Sequence, residues 1–238
     1  MQKLRKDRAA LEAAIGYTFC DRTLLDTALT HSSYSNEAKS KGAYVECNER
    51  LEFLGDSVLS IVASEFLFLK FPEQPEGELT RMRSEIVCEK ALCVFANKIG
   101  LGDYLCLGHG EELGGGRERP SILADAFEAL LAAVFIDCGR DKNTVAKFLF
   151  PLLEAELTKL EISGAARDYK TVLQQFIQQA GGEVLEYFVV DERGPDHNKR
   201  FTVEARLNSN VIGVGEGRSK RAAEQIAARQ ALELFGQK

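Results

Sequence analysis

The sequence predicts an all-α domain followed by a small α+β domain. Three observations point to it. Apolar residues recur at helical spacing through residues 1–158, where strand-like alternation is scarce. The composition then shifts to small residues at Ile162-Ser163-Gly164-Ala165-Ala166-Arg167, which reads as a short linker. Beyond it, a helical run, three alternating runs and a second helical run follow in the order α-β-β-β-α. The expected boundaries are 1–160 for the helical domain, 161–167 for the linker and 168–238 for the α+β domain.

In the first domain the periodicity predicts helices over residues 4–14, 22–30, 48–70, 78–99, 121–137 and 142–159. Ser121, just after Pro120, is the expected N-cap of the fifth. Residues 100–116 are glycine-rich and end in Gly114-Gly115-Gly116 before Arg117. Such a run could cradle a phosphate, but the Lys-[Ser/Thr] of a P-loop is missing, so a plain flexible loop is expected. In the second domain a helix is expected over 169–180, strands over 183–192, 200–208 and 210–216, and a helix over 220–235. Alanines 222, 223, 227, 228 and 231 would let the last helix pack closely on a sheet.

Composition narrows the class. No apolar run reaches the roughly 18 residues of a membrane span, and the basic N-terminal stretch lacks the continuous apolar segment of a secretion signal. The six cysteines stand singly, without a C-x-x-C, in apolar surroundings. They are expected to be buried free thiols in a reducing cytoplasm rather than disulfides or zinc ligands. The net charge of −6 is unusual for a nucleic-acid binder, but it is unevenly spread. Residues 164–238 carry 11 Lys and Arg against 10 Asp and Glu, so the acidic excess belongs to the helical domain.

That excess is concentrated in the run Asn48-Glu49-Arg50-Leu51-Glu52-Phe53-Leu54-Gly55-Asp56-Ser57-Val58-Leu59. At roughly 100° per residue, Glu49, Glu52 and Asp56 fall within about 60° of one another. Leu51, Leu54, Val58 and Ile61 fall opposite and should face the core. In the apolar run from Ile122 to Ile136, Asp125 and Glu128 are the only charges, spaced i, i+3 on one face. If the two helices pack side by side, Glu52, Asp56, Asp125 and Glu128 converge. Repulsion and burial would then call for a cation, and an oxygen-seeking metal ion fits. The plainer readings are a solvated acidic face, or salt bridges to Arg50 or Arg81.

The opening of the last helix, Gly217-Arg218-Ser219-Lys220-Arg221, is the basic counterpart. Three cations crowd the positive end of a helix dipole, with no compensation visible in the sequence. Together with backbone amides they could grip a phosphate.

The run NERLEFLGDSVL (48–59) resembles the signature of the ribonuclease III family. HSSYSNE (31–37), EGELTRMRSEIV (76–87) and RPSILADAFEALLAAVFID (119–137) resemble further family blocks, in the family order. The resemblance implies a homodimeric helical nuclease with Mg²⁺ in each acidic cluster, Mn²⁺ being a substitute. It implies Glu52, Asp125 and Glu128 as metal ligands, Asp56 and Glu128 as the residues most critical for turnover, and a peripheral Glu49 near the RNA or the subunit contact. Phe53 would pack into the partner subunit. Its position beside the carboxylates supports that, although burial within the chain is an alternative.

The C-terminal segment resembles the double-stranded RNA-binding domain. The resemblance implies RNA contacts from Thr171, Gln174 and Gln175 on the first helix, from the loop of residues 194–200 with His197, Asn198 and Lys199, and from Arg218, Lys220 and Arg221. Gln and His can bond 2′-hydroxyls in the shallow minor groove, while Lys and Arg reach phosphates. Gln175 stands where many members have Glu, and Arg221 replaces the second Lys of a common pair.

RNA can be cut through paired histidines, leaving a cyclic phosphate, or by metal-activated water. His31, His109 and His197 lie in separate segments, so the acidic quartet and the metal route fit better. One ion would lower the pKa of the attacking water and a second would stabilise the leaving 3′-oxygen, giving 5′-phosphate and 3′-hydroxyl ends. One quartet serves one phosphodiester, and a homodimer would supply the second. The family resemblance implies roles in maturing ribosomal RNA precursors and in processing or decay of messages. The competing readings are a non-catalytic double-stranded RNA-binding regulator and a structural dimer module.

Overall fold

Alanine and leucine dominate the helix Pro120–Asp137 (α8), and it is apolar on nearly every side. Such a helix belongs at the centre of a core. In the computed structural model, which describes residues 7–162, 169–181, 183–195 and 199–236, α8 holds that place. The chain folds as two units, 1–160 and 161–238.

The first unit is helical: α1 (Arg8–Ile15), α2 (Arg22–Ala28), α3 (Ser32–Ser40), α4 (Glu49–Lys70), α5 (Glu76–Ile86), α6 (Glu89–Lys98), α7 (His109–Leu113), α8 and α9 (Lys142–Ile162). Helices α2, α4 and α6 pack on α8. Phe127 of α8 meets Phe95 of α6 at 5.7 Å between ring centroids. The C-terminal end of α8 is tied down by Asp137, which accepts hydrogen bonds from Tyr17 Oη at 2.7 Å and from the amides of Cys20 and Asp21 at 2.8 Å. These donors hold the Asp137 carboxyl below its usual range, and burial beside that carboxylate pushes the Tyr17 hydroxyl up.

The second unit is α10 (Tyr169–Ala180), β1 (Leu185–Arg193), β2 (Arg200–Leu207), β3 (Asn210–Gly217) and α11 (Lys220–Leu234). The strands form an antiparallel sheet in the order β1-β2-β3. Alanines 223, 227, 228 and 231 of α11 are fully buried, and α11 lies against β3 and β2. Leu173 and Ile177 of α10 complete the small core with Leu232.

Several expectations change. Residues 78–99 form two helices, because Val87 and Cys88 leave helical geometry between α5 and α6. Helix α3 was not expected; it has no buried residue and is held by polar contacts. Helix α8 starts with Pro120 at its first turn, so Arg119, not Ser121, is its cap residue. Helix α9 runs on to Ile162, into the expected linker. The glycine-rich segment is not a plain loop. It folds into two short 3₁₀ turns around α7, clamped by Arg117, which donates to the carbonyls of Gly102 at 2.8 Å and Leu105 at 2.9 Å and pairs with Glu112. All six cysteines are free, but only Cys106 is buried; Cys20 and Cys88 are exposed.

Candidate active site

The acidic cluster is built where α4 crosses α8. Leu51, Val58, Leu59 and Val62 bury one side of α4, while Gly55 lies against the backbone of Glu128. A Cβ added at Gly55 would sit 1.9 Å from the Glu128 carbonyl oxygen, so only glycine allows this approach. The crossing places the turns bearing Glu52 and Asp56 beside the turn bearing Asp125 and Glu128. Glu52, Asp125 and Glu128 are partly buried; Asp56 and Glu49 are exposed.

The carboxylates feel one another. Burial, then Asp56, Asp125 and Glu52, push the Glu128 carboxyl up to about 7. Burial, then Asp125 and Glu49, also raise Glu52. Burial raises Asp125, the charge of His31 draws it back, and Glu89 pushes it up again. None of the four takes part in an ion pair among the described residues. Arg81 pairs with Glu78 at 3.0 Å, and Arg50 is exposed. The salt-bridge reading of the quartet therefore lacks its cations.

The donor set suits a hard divalent ion: it is all carboxylate, three of the four members are partly buried, and none takes part in an ion pair among the described residues. As the side chains stand, no group of three among the described residues is close enough to hold a metal ion.

Phe53 is 80% exposed, which rules out burial within its own unit. Ile61 corrects an expectation: it was placed toward the core and is 55% exposed. With Phe68, also exposed, it flanks an apolar groove of about 610 Å³ between α4 and α5, lined further by Leu79 and Arg83.

In the second unit, Thr171, Gln174 and Gln175 are exposed on α10, and Arg218, Lys220 and Arg221 are exposed at the start of α11. Ser219 caps that helix, accepting from the Ala222 amide at 3.1 Å. Lys220 is not uncompensated as the sequence suggested. It pairs with Glu192 at 3.0 Å and lies over the Phe201 ring at 5.5 Å. Arg218 and Arg221 form no ion pair among the described residues. Lys199 is partly exposed, whereas His197 and Asn198 lie outside the described residues.

Two contributors were not read from the sequence. Gly55 was visible as a lone glycine in an apolar helix, a mark of close backbone approach. His31 is visible in the sequence as the start of the HSSYSNE block and as a histidine unpaired with the other two, with no role assigned, yet it follows Thr30, which lies beside the start of α4. The Asn48 amide donates to the Thr30 carbonyl at 2.8 Å.

Residues 21–152 match the family model described as Ribonuclease-III-like, and residues 169–234 match the one described as double-stranded RNA binding motif. Ribonuclease 3 of Geobacillus thermodenitrificans is 46% identical over 234 residues, which cover 98% of this chain and 93% of that protein. Ribonuclease 3 of Pelotomaculum thermopropionicum is 48% identical over 225 residues, 93% of this chain and 90% of that protein. A solved nuclease domain of ribonuclease III from Campylobacter jejuni, described for flexibility in a region involved in dimer formation, superposes with a TM-score of 0.57 at 39% identity. It covers 63% of this chain and 98% of that one. With the acidic crossing in one unit, the α-β-β-β-α fold in the other, and relatives matching nearly end to end, the chain belongs to the ribonuclease III family of endoribonucleases.

Proposed function

We propose that the protein hydrolyses phosphodiester bonds of double-stranded RNA in a Mg²⁺-dependent reaction, with Mn²⁺ able to substitute, leaving 5′-phosphate and 3′-hydroxyl ends. The observation that carries this reading is the close α4–α8 packing at Gly55, which gathers Glu52, Asp56, Asp125 and Glu128 with no ion pair to answer them among the described residues. Glu52, Asp125 and Glu128 would hold the metal. A bound divalent cation supplies Lewis-acid activation of water and charge stabilisation at the leaving oxygen. Glu128 and Asp56 would keep the attacking water oriented against the phosphodiester.

The RNA would lie across Thr171, Gln174 and Gln175 and be held at its phosphates by Lys199, Arg218, Lys220 and Arg221. His197 and Asn198, which fall between β1 and β2 in the sequence, belong to the same proposed surface. Two copies of the chain would supply one acidic cluster per strand. Phe53, Ile61 and Phe68 lie within about 80° on α4 and are all exposed, which supports α4 as the face of a homodimer. The proposed setting is the cytoplasm, where six free thiols would stay reduced, and the proposed substrates are ribosomal RNA precursors and messages.

The test is a cleavage assay on long double-stranded RNA, with Mg²⁺, with Ca²⁺, and with the Glu128→Gln variant in Mg²⁺. Cleavage by the unaltered protein in Mg²⁺ is expected, with a loss of about 10³-fold or more in the variant and retained RNA binding. Binding without cleavage under every condition would instead make the protein a non-catalytic regulator. Cyclic phosphate ends would overturn the metal route.

A further inference from the structure

Lys220 opens α11 at the positive end of the helix dipole, where an ammonium is repelled. Two groups on the sheet answer it. Its Nζ lies 3.0 Å from Glu192 Oε1 and 5.5 Å from the centre of the Phe201 ring. The pairing register explains why both are there. Glu192 is the cross-strand partner of Phe201, and Phe201 is the partner of Gly217. Cross-strand partners project to the same face, so the three form one row. That face lies under α11, since a Cβ at Gly217 would sit 2.6 Å from the Ala223 amide nitrogen.

A break in strand alternation completes the row. Val203 and Ala205, which alternate with Phe201 on β2, are fully buried, and Val189 and Tyr187 of β1 stand opposite them. Regular alternation from Tyr187 and Val189 would send Glu192 to the other face. The register shifts between Val189 and Asp191, and this bulge turns Glu192 toward the start of α11. The Lys220 side chain stays 58% exposed, so a phosphate can still reach the ammonium. Neither Arg218 nor Arg221 lies over a ring or pairs with an acid among the described residues.

We infer that Phe201 is a positioning residue of the RNA interface: its ring is the seat that holds the Lys220 ammonium at the start of α11, in place for a phosphate. The inference rests on the reading of Lys220 as a phosphate contact. A lysine has a long flexible stem and gives up rotamer freedom when it binds. A ring that attracts the ammonium beforehand removes part of that loss. Glu192 acts in the opposite sense, as the counter-ion that a phosphate displaces.

The test uses the full chain and long double-stranded RNA in Ca²⁺, with affinity read by filter binding. Phe201→Leu, which keeps apolar bulk without the aromatic face, is expected to weaken binding about two- to fivefold, and Phe201→Tyr to leave it unchanged. On a Lys220→Ala background, Phe201→Leu should cost nothing further. In the unaltered protein, NMR should show the Lys220 side-chain protons next to the ammonium shifted upfield by the ring, a readout that does not depend on any variant folding. Ordinary lysine shifts there would overturn the inference. An equal loss from Phe201→Leu with and without Lys220 would mark a packing role alone and also overturn it. Full affinity in Phe201→Leu, with Lys220→Ala binding weakly, would overturn the inference and leave the phosphate contact intact. Full affinity in Lys220→Ala would overturn both.

Discussion

The α4–α8 crossing and the start of α11 both crowd like charges, and they differ in what answers them. At the crossing, Glu52, Asp125 and Glu128 are partly buried and no ion pair is found among the described residues. At α11, Arg218, Lys220 and Arg221 are exposed, and Glu192 already pairs with Lys220. Crowding under burial raises carboxyl pKa values and creates a demand that a compact, strongly charged cation can meet. Crowding in water costs little, because solvent and salt screen it. The first arrangement suits one tightly held ion. The second suits a long polyanion bound through many weak contacts.

The largest effect should come from the packing beneath the acids. Gly55→Ala puts a methyl group into the Glu128 carbonyl, a backbone atom that cannot rotate away. A loss of about 3 kcal/mol is expected in urea unfolding, together with weaker metal binding as the helices are pushed apart. Unchanged stability would show that the crossing is more yielding than the comparison requires.

A smaller effect follows from Glu128. Its folded-state pKa of about 7 stands above the ordinary value of 4.5, so the charged form is the disfavoured one. The stabilisation from this residue is fully present below about pH 4.5 and is lost as pH rises through 7. In chelator, the unaltered protein should lose on the order of 2 kcal/mol relative to Glu128→Gln between those limits, after allowance for partial solvent screening. Metal affinity should strengthen over the same window, because the ligand must deprotonate. Parallel pH profiles for the two proteins would remove Glu128 from the buried cluster.

The basic end should respond more weakly and to salt rather than pH. Arg218→Ala and Arg221→Ala should each reduce the slope of log affinity against log salt by about 0.7–1, measured by filter binding on double-stranded RNA. Smallest of all, Glu192→Gln should free Lys220 and tighten RNA binding by no more than about 1 kcal/mol, since the pair is exposed. An effect larger than those of the arginine variants would mean that the cations at α11 are gated by their own chain.

Much of this was legible because long helices write their burial into the sequence. The apolar surroundings of Asp125 and Glu128 gave away α8, and the 3.6-residue period of Leu51, Leu54 and Val58 gave away α4. Helix α3 was illegible for the same reason: SSYSNEAKS buries nothing and has no apolar face, and it exists through the contacts of His31, Ser33 and Glu37 with distant segments. The break between α5 and α6 carries no Gly or Pro, so periodicity ran straight through it. Ile61 misled because amphipathic reasoning sends every aliphatic side chain inward, whereas here it helps line an open groove. The order of the glycine-rich segment depends on Arg117 reaching back to Gly102 and Leu105, contacts that no local pattern contains.

The backbone-on-backbone contact at Gly55 has a consequence for how this protein tolerates change. Where two helices are spaced by interlocking side chains, each core substitution shifts their separation, and a site carried on both drifts with it. Here the spacing is gauged by a main chain resting on a main chain, which mutation cannot resize. The leucines and alanines around the crossing can therefore be exchanged for others of similar bulk while the acidic turns keep their distance. An engineer repacking this core has freedom at the neighbouring positions and none at the one that contributes no side chain.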